Sequence, residues 1–169
     1  MKRFLSLVLA VCFVCNGLAE EANGLRVTVQ KTLLEREKDR DAFYGWDKVN
    51  KALGLKVAAK NISLKELPEG SLEFKIIVKR WGHRNPELFE SYAGTEKFPA
   101  LAKSGETNLV VAKVPMGGWE TTSGRKDYVD TVEGYEIVIR QSDKETIRIK
   151  STASFDKLAA KAKPGQLPK

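Results

Sequence analysis

The chain has 169 residues, with 29 Lys and Arg against 22 Asp and Glu, a net charge of +7, one histidine and two cysteines. So few histidines and cysteines exclude the multi-ligand zinc and copper centres built from those side chains. The charge is mild and evenly mixed, which argues for an ordinary solvated surface and against a continuous nucleic-acid stripe.

The first residues, MKRFLSLVLAVCFVCNGLAEE, place Lys2 and Arg3 before a short apolar run from Phe4 to Cys15. That run is too short to span a bilayer and fits a secretory leader. Gly17 and Ala19 are small residues at the positions a cut before Glu20 needs, so residues 1–19 are expected to be a cleaved signal peptide. The alternative is a lipoprotein acylated at Cys12 or Cys15, although Val11 and Val14 stand where a small residue is usual. Cleavage removes both cysteines and leaves 27 basic residues against 22 acidic, a charge of +5. The mature chain is then expected to have no disulfide, thiolate metal site or cysteine nucleophile, which suits a bacterial envelope. A remainder of about 150 residues is long enough to rely on its apolar core alone.

Past the leader, the apolar runs alternate with period two. LRVTVQ (25–30) aligns Leu25, Val27 and Val29; EREKDRDAFYGWDK (35–48) breaks the pattern as a charge run ending in aromatics. LGLKVAAKN (53–61) aligns Leu53, Leu55, Val57 and Ala59, and after a turn at LPEG (67–70), SLEFKIIVKRW (71–81) aligns Leu72, Phe74, Ile76 and Val78. GHRNP (82–86) reads as another turn. In KFPALAKSGETNLVVAKV (97–114), Pro99 and Gly105 disfavour a helix. The expectation is an extended KFPALA that inserts Phe98 and Leu101, a turn at KSGE, and a strand over TNLVVAKV. PMGGWETTSGRKDYVDTVEG (115–134) is longer than a simple connection, YEIVIRQ (135–141) aligns Tyr135, Ile137 and Ile139, and TIRIKS (146–151) follows the turn SDKE (142–145). Residues 156–169, Lys- and Ala-rich with two prolines, are expected to be a frayed tail with one helical turn near Leu158. Alternation with one wet face predicts antiparallel sheets, and the spacing of turns predicts an all-β, Ig-like antiparallel β-sandwich of about seven to nine strands over residues 24–155.

The succession LGLKVAAKNIS, LPEGSLEFKIIVKR, FPALAKSGETNLVVAKV and GYEIVIRQSDKETIRI resembles bacterial secreted Ig-like or fibronectin-like modules over residues 25–153. Lys60-Asn61-Ile62-Ser63 and Phe98-Pro99-Ala100-Leu101 with Gly105-Glu106-Thr107 carry the resemblance. It implies fold, not activity. More faintly, the chain looks like small Ig-like proteins associated with type IV pilus gene clusters of mucus-dwelling gut bacteria. The long 115–134 segment departs from that pattern.

Candidate chemistry is sparse. His83 lies in the GHRNP turn without further ligands. Ser123–Lys126 and Ser154–Lys157 match Ser-x-x-Lys, but the helical context and companion motifs of penicillin-recognising enzymes are not expected. Asp127, Asp130 and Glu133 lack calcium-loop spacing. Trp46, Trp81, Trp119, Phe43, Tyr44, Tyr92 and Tyr128 sit at strand ends or in the two irregular segments, where they either cap the core or serve recognition; Trp119, behind Gly117 and Gly118, is the one expected to be most exposed. Ile77 and Val138 point away from the core-facing set, and on neighbouring strands they would make an apolar spot ringed by Lys75, Lys79, Arg140, Arg148 and Lys150. The expected function is a non-enzymatic, exported module that binds another envelope or surface protein through that face. The alternative is glycan recognition through Trp119, Tyr128, Trp46 and Tyr44. No cofactor, nucleic acid or transmembrane span is expected.

Overall fold

A computed structural model describes residues 18–41, 45–82, 88–121 and 127–167. In chain order the strands are β1 (Leu18–Ala22), β2 (Leu25–Asp41), β3 (Trp46–Asn61), β4 (Gly70–Lys79), β5 (Phe89–Phe98), β6 (Glu106–Thr121), β7 (Asp127–Val129), β8 (Thr131–Gln141) and β9 (Lys144–Lys150). The helix α1 (Phe155–Lys161) and the strand β10 (Lys163–Pro164) complete the order. They form two five-stranded sheets, β1-β2-β3-β6-β7 and β10-β5-β4-β8-β9. Without the short β1, β7 and β10, the order is β2-β3-β6 over β5-β4-β8-β9, all antiparallel, which is the connectivity of an Ig-like sandwich.

The alternating residues close the sandwich. Leu25, Val27 and Val29 of the first sheet, and Leu72, Ile76, Val78, Ile137 and Ile139 of the second, are buried in one cluster. Each such side chain contributes about 1.5–3 kcal/mol when fully buried. Two hairpins have left-handed residues at both turn positions, Asn23–Gly24 between β1 and β2 and Ser142–Asp143 between β8 and β9. That backbone matches the right-handed twist of the flanking strands. Phe98 and Leu101 are buried as expected, and Leu101 pairs with Leu67 in an isolated bridge.

Buried polar groups tie the layers together. Asn61 donates to the carbonyls of Lys65 (2.7 Å), Leu101 (3.1 Å) and Ala102 (3.0 Å), and its side-chain oxygen accepts from the Ser63 backbone and hydroxyl. The Asn-x-Ser signal is therefore a structural pin. The Tyr135 hydroxyl donates across the sandwich to the Val29 carbonyl at 3.3 Å.

Three expectations are corrected. The charge run at 35–48 is not irregular where it is described: β2 runs on to Asp41 and β3 starts at Trp46. A bulge between Leu33 and Glu35 lets charged residues continue the ladder after the apolar stretch. The 115–134 segment likewise supplies the end of β6, then β7 and the start of β8. Beyond the helical turn expected near Leu158, which α1 supplies, the C-terminal residues as far as Leu167 are not frayed: Phe155 of α1 packs with Ile77 and Phe89, β10 pairs in parallel with β5, and Leu167 packs on the main core.

Candidate functional site

β4 and β8 are neighbours, so the face foreseen from the alternation does assemble. Register sets Val138 between Glu73 and Arg148, and Glu136 between Lys75 and Lys150. The expectation of an exposed apolar spot there is corrected, for two physical reasons. Ile77 is fully buried because α1 lays Phe155 over it. Val138 is only 4% exposed, flanked by charged cross-strand neighbours.

The ring of cations also holds its own acids. Arg140 pairs with Glu73 at 2.9 Å, Arg148 with Glu136 and Glu145 at 2.6 Å each, and Lys150 with Asp156 at 2.7 Å. Arg148 accordingly holds its proton more tightly than a free guanidinium, chiefly through Glu145 and then Glu136. Over this ladder lies an open groove of about 420 Å³ lined by Glu73, Lys75, Thr95, Glu136 and Val138. Three of the five cations, Arg140, Arg148 and Lys150, are thus paired to acids of the surface itself. Lys79 is exposed at the end of β4.

The second candidate region is the far end of the first sheet. There β2, β3 and β6 have 17, 16 and 16 residues against 10, 10 and 11 for β4, β5 and β8, and so outrun the second sheet as a blade. Tyr128 lies between two tryptophans, with ring centroids 5.2 Å from Trp46 and 4.9 Å from Trp81, tilted by 35° and 48°. Trp119 is paired in register with Tyr128 and is partly buried, not the open platform expected. Gly118, with φ +152°, lets β7 approach, since a Cβ there would lie 2.3 Å from the Tyr128 carbonyl oxygen. Tyr44 and Phe43 lie outside the described residues, as do His83, Ser123 and Lys126.

On the blade's inner face, Glu120 is buried and receives Arg36 and Lys51 at 2.5 Å each and Lys38 at 2.9 Å. Hydrogen bonds from Lys51, then Lys38, hold its pKa down at about 2. Asp47 faces Glu120 across the strands, its Oδ2 3.7 Å from Lys38, with Oδ1 buried and without a hydrogen bond.

A clasp joins blade and second sheet. Asp130 accepts from Arg80 (2.5 Å), the Trp81 backbone (2.8 Å) and the Gly117 backbone (2.8 Å). Arg80 also donates to Glu90 (2.7 Å), the Pro115 carbonyl (2.9 Å) and the Tyr92 hydroxyl. Burial works against the Arg80 charge, but Glu90 and Asp130 outweigh it and leave its pKa raised. Burial, then donation to Glu90, pushes the Tyr92 phenol up to about 12.

Asp127, Asp130 and Glu133 do not converge on one point as far as their side chains are described: Asp130 turns to Arg80, and Glu133 accepts from Thr131 at 2.6 Å. Among the described residues no group of three His, Cys, Asp or Glu side chains is arranged to hold a metal. Ser154 does stand at the N-cap of α1, a helical context not foreseen. Its hydroxyl meets Thr152 at 3.0 Å, and Lys157 is exposed to solvent.

No family model matches the chain, and no curated protein matches it. Among solved structures, a crystal structure of a protein from Akkermansia muciniphila is similar at 11% identity and a TM-score of 0.39, covering 88% of this chain and 84% of that one. The fold assignment stands on the strand order within this chain.

Proposed function

We propose that this chain is a non-catalytic, exported module of a bacterial envelope or surface that binds another protein through its blade. The observation that carries this reading is the outer strand β2, at the margin of its sheet among the described residues beyond the short β1. Among the described residues, β1 pairs with Leu25–Val29 and the rest of this 17-residue strand pairs with β3 alone. Unpaired edges are standard sites of protein–protein strand addition. The charged groups of the described surface support a non-enzymatic role, because Glu120, Asp130 and the outer ladder are each engaged in structural ion pairs. The faint sequence resemblance suggests pilus assembly as the setting. Export is tested by fusing residues 1–19 to a reporter active only outside the cytoplasm. Binding is tested by recovering envelope proteins on the folded protein and on an unfolded variant; a partner specific to the folded form is expected, and its absence overturns the reading.

A glycan-binding reading is favoured by one observation, the half-buried trio Trp46, Tyr128 and Trp81. Its rings pack on one another at a tilt, which leaves less face for a sugar than a flat platform would. A glycan that shifts tryptophan emission would establish it.

A further inference from the structure

We propose that the end of the sandwich remote from the blade is a bilayer-contact tip, at which Leu64 and Ile62 enter the interfacial layer of a zwitterionic phospholipid surface. This goes beyond the protein-binding reading and does not rest on it. β3 runs from Trp46 in the blade to Asn61 at this end. The connections that meet here, residues 23–24, 62–69, 99–105 and 142–143, are all described. Leu64 is 81% exposed, more than any other large apolar side chain among the described residues, and Ile62 is 43% exposed. Pro99, Ala100 and Ala102 add exposed apolar surface on the adjoining loop.

A single exposed leucine is ordinary. The loop that carries this one is not. Loops are kept out of apolar layers because backbone groups that lose water there need other partners. Here the partners are internal. The Asn61 side chain, fully buried, donates to the carbonyls of Lys65, Leu101 and Ala102. The Ile62 N–H donates to the Gly24 carbonyl at 2.8 Å, and the Ser63 N–H to the Asn61 side-chain oxygen at 2.9 Å. Leu67 and Leu101 exchange both backbone bonds at 2.9 Å. The aliphatic tip can therefore leave water without stranding these groups. Charge selects the kind of surface. Lys60, Lys65 and Lys103 are exposed and enter no ion pair among the described residues, and the same holds for Glu66, Glu69 and Glu106. Three free cations and three free acids match a headgroup that itself carries a phosphate and an ammonium. They give no net attraction to an anionic layer, so apolar insertion supplies the affinity.

The test uses the purified full chain and vesicles of phosphatidylethanolamine with phosphatidylcholine. Any contribution of the apolar run at residues 4–15 multiplies every partition coefficient alike and leaves their ratios unchanged. Leu64→Asp is expected to lower the partition coefficient at least about tenfold in co-sedimentation, with the far-UV spectrum of the wild type. Two reporters then locate the contact. Leu64→Trp is expected to shift its emission to the blue on vesicles and to be quenched by brominated lipid beyond any change in the wild type. Val110→Trp, at a position 57% exposed on β6, is expected to add no such quenching. Replacing about a third of the phosphatidylcholine by phosphatidylglycerol is expected to change the affinity by less than about threefold. Equal partition of wild type and Leu64→Asp overturns the proposal, as does Leu64→Trp emission indifferent to brominated lipid, which would leave Leu64 to a protein socket. Equal quenching at both reporters overturns the location. A larger gain with phosphatidylglycerol that about 1 M salt abolishes would assign the contact to net charge and overturn the aliphatic tip.

Discussion

β3 passes through two environments without interruption. From Asn61 to Leu55 its inner side chains Ala59, Val57 and Leu55 face the second sheet and are at most 2% exposed. From Leu53 to Asp47 the same face carries Lys51, Val49 and Asp47, and its neighbours are Arg36, Lys38 and Glu120. The backbone ladder is continuous through both halves apart from bulges near Leu53. The hydrogen-bond ladder therefore makes the strand, and the facing layer decides its chemistry. Where a second sheet excludes water, apolar side chains gain from burial. Where the blade overhangs, one carboxylate gathers three cations instead.

The largest effect should separate the halves most sharply. Leu55→Ala, in the covered half, should destabilise the whole protein by about 3 kcal/mol, through lost burial and the cavity left behind. Urea unfolding followed by far-UV dichroism and by tryptophan emission should shift together. Glu120→Gln, in the overhanging half, strands three cations around a neutral amide. Because those cations are partly solvated, the cost should be about 2 kcal/mol, below that of a fully buried pair. Hydrogen exchange should rise in β2 residues 34–41 and β3 residues 46–52 while the sandwich half stays protected; a uniform rise would erase the distinction.

Acid should reproduce that local loss. The Glu120 pKa is depressed in the folded state, through Lys51 and then Lys38, from 4.5 to about 2. Its stabilisation is thus complete above the ordinary carboxylate range and is lost as pH falls from about 4.5 to about 2. Tryptophan emission from the blade should change in that window in the wild type and lack this step in Glu120→Gln. The smallest effect belongs to the outer ladder. Glu136→Gln removes pairs to Arg148 and Lys150 at a solvated surface and should cost less than about 1 kcal/mol, vanishing in about 1 M salt. A larger loss would mean that the ladder, not only the core, holds the second sheet.

Much of the covered half was legible in sequence, because period-two alternation reports one excluded face wherever a facing layer exists. Leu72, Phe74, Ile76, Val78, Ile137 and Ile139 are buried as that pattern requires. The Asn23–Gly24 turn carried a readable hairpin signal that marks β1, yet the expected leader ends at Ala19, inside that strand. Cleavage before Glu20 would leave Glu20, Glu21 and Ala22 paired to Val27, Arg26 and Leu25. The blade was not legible, since EREKDRD has no apolar period and reads as loop on hydropathy alone. Its alternation is of charge sign: 36 and 38 basic, 35, 37 and 39 acidic. That signal was present but becomes meaningful only with Glu120 opposite.

The candidate site illustrates the same limit. Alternation correctly grouped Lys75, Val138 and Arg140 on one face with Ile77. It could not tell that Phe155, far along the chain, returns to cover Ile77, or that Glu73, Glu136 and Glu145 would pair with Arg140 and Arg148 of the ring.

By itself the sequence determined that the chain is made of strands, which of their faces is dry over the sandwich, and where the sharp turns fall, because these follow from local sterics and hydrophobic period. Tertiary structure alone decided that three strands outrun their partner sheet and that the tail docks. Those outcomes depend on which distant segments share a face, and a pairing free energy between remote residues leaves no trace in the local pattern of either one.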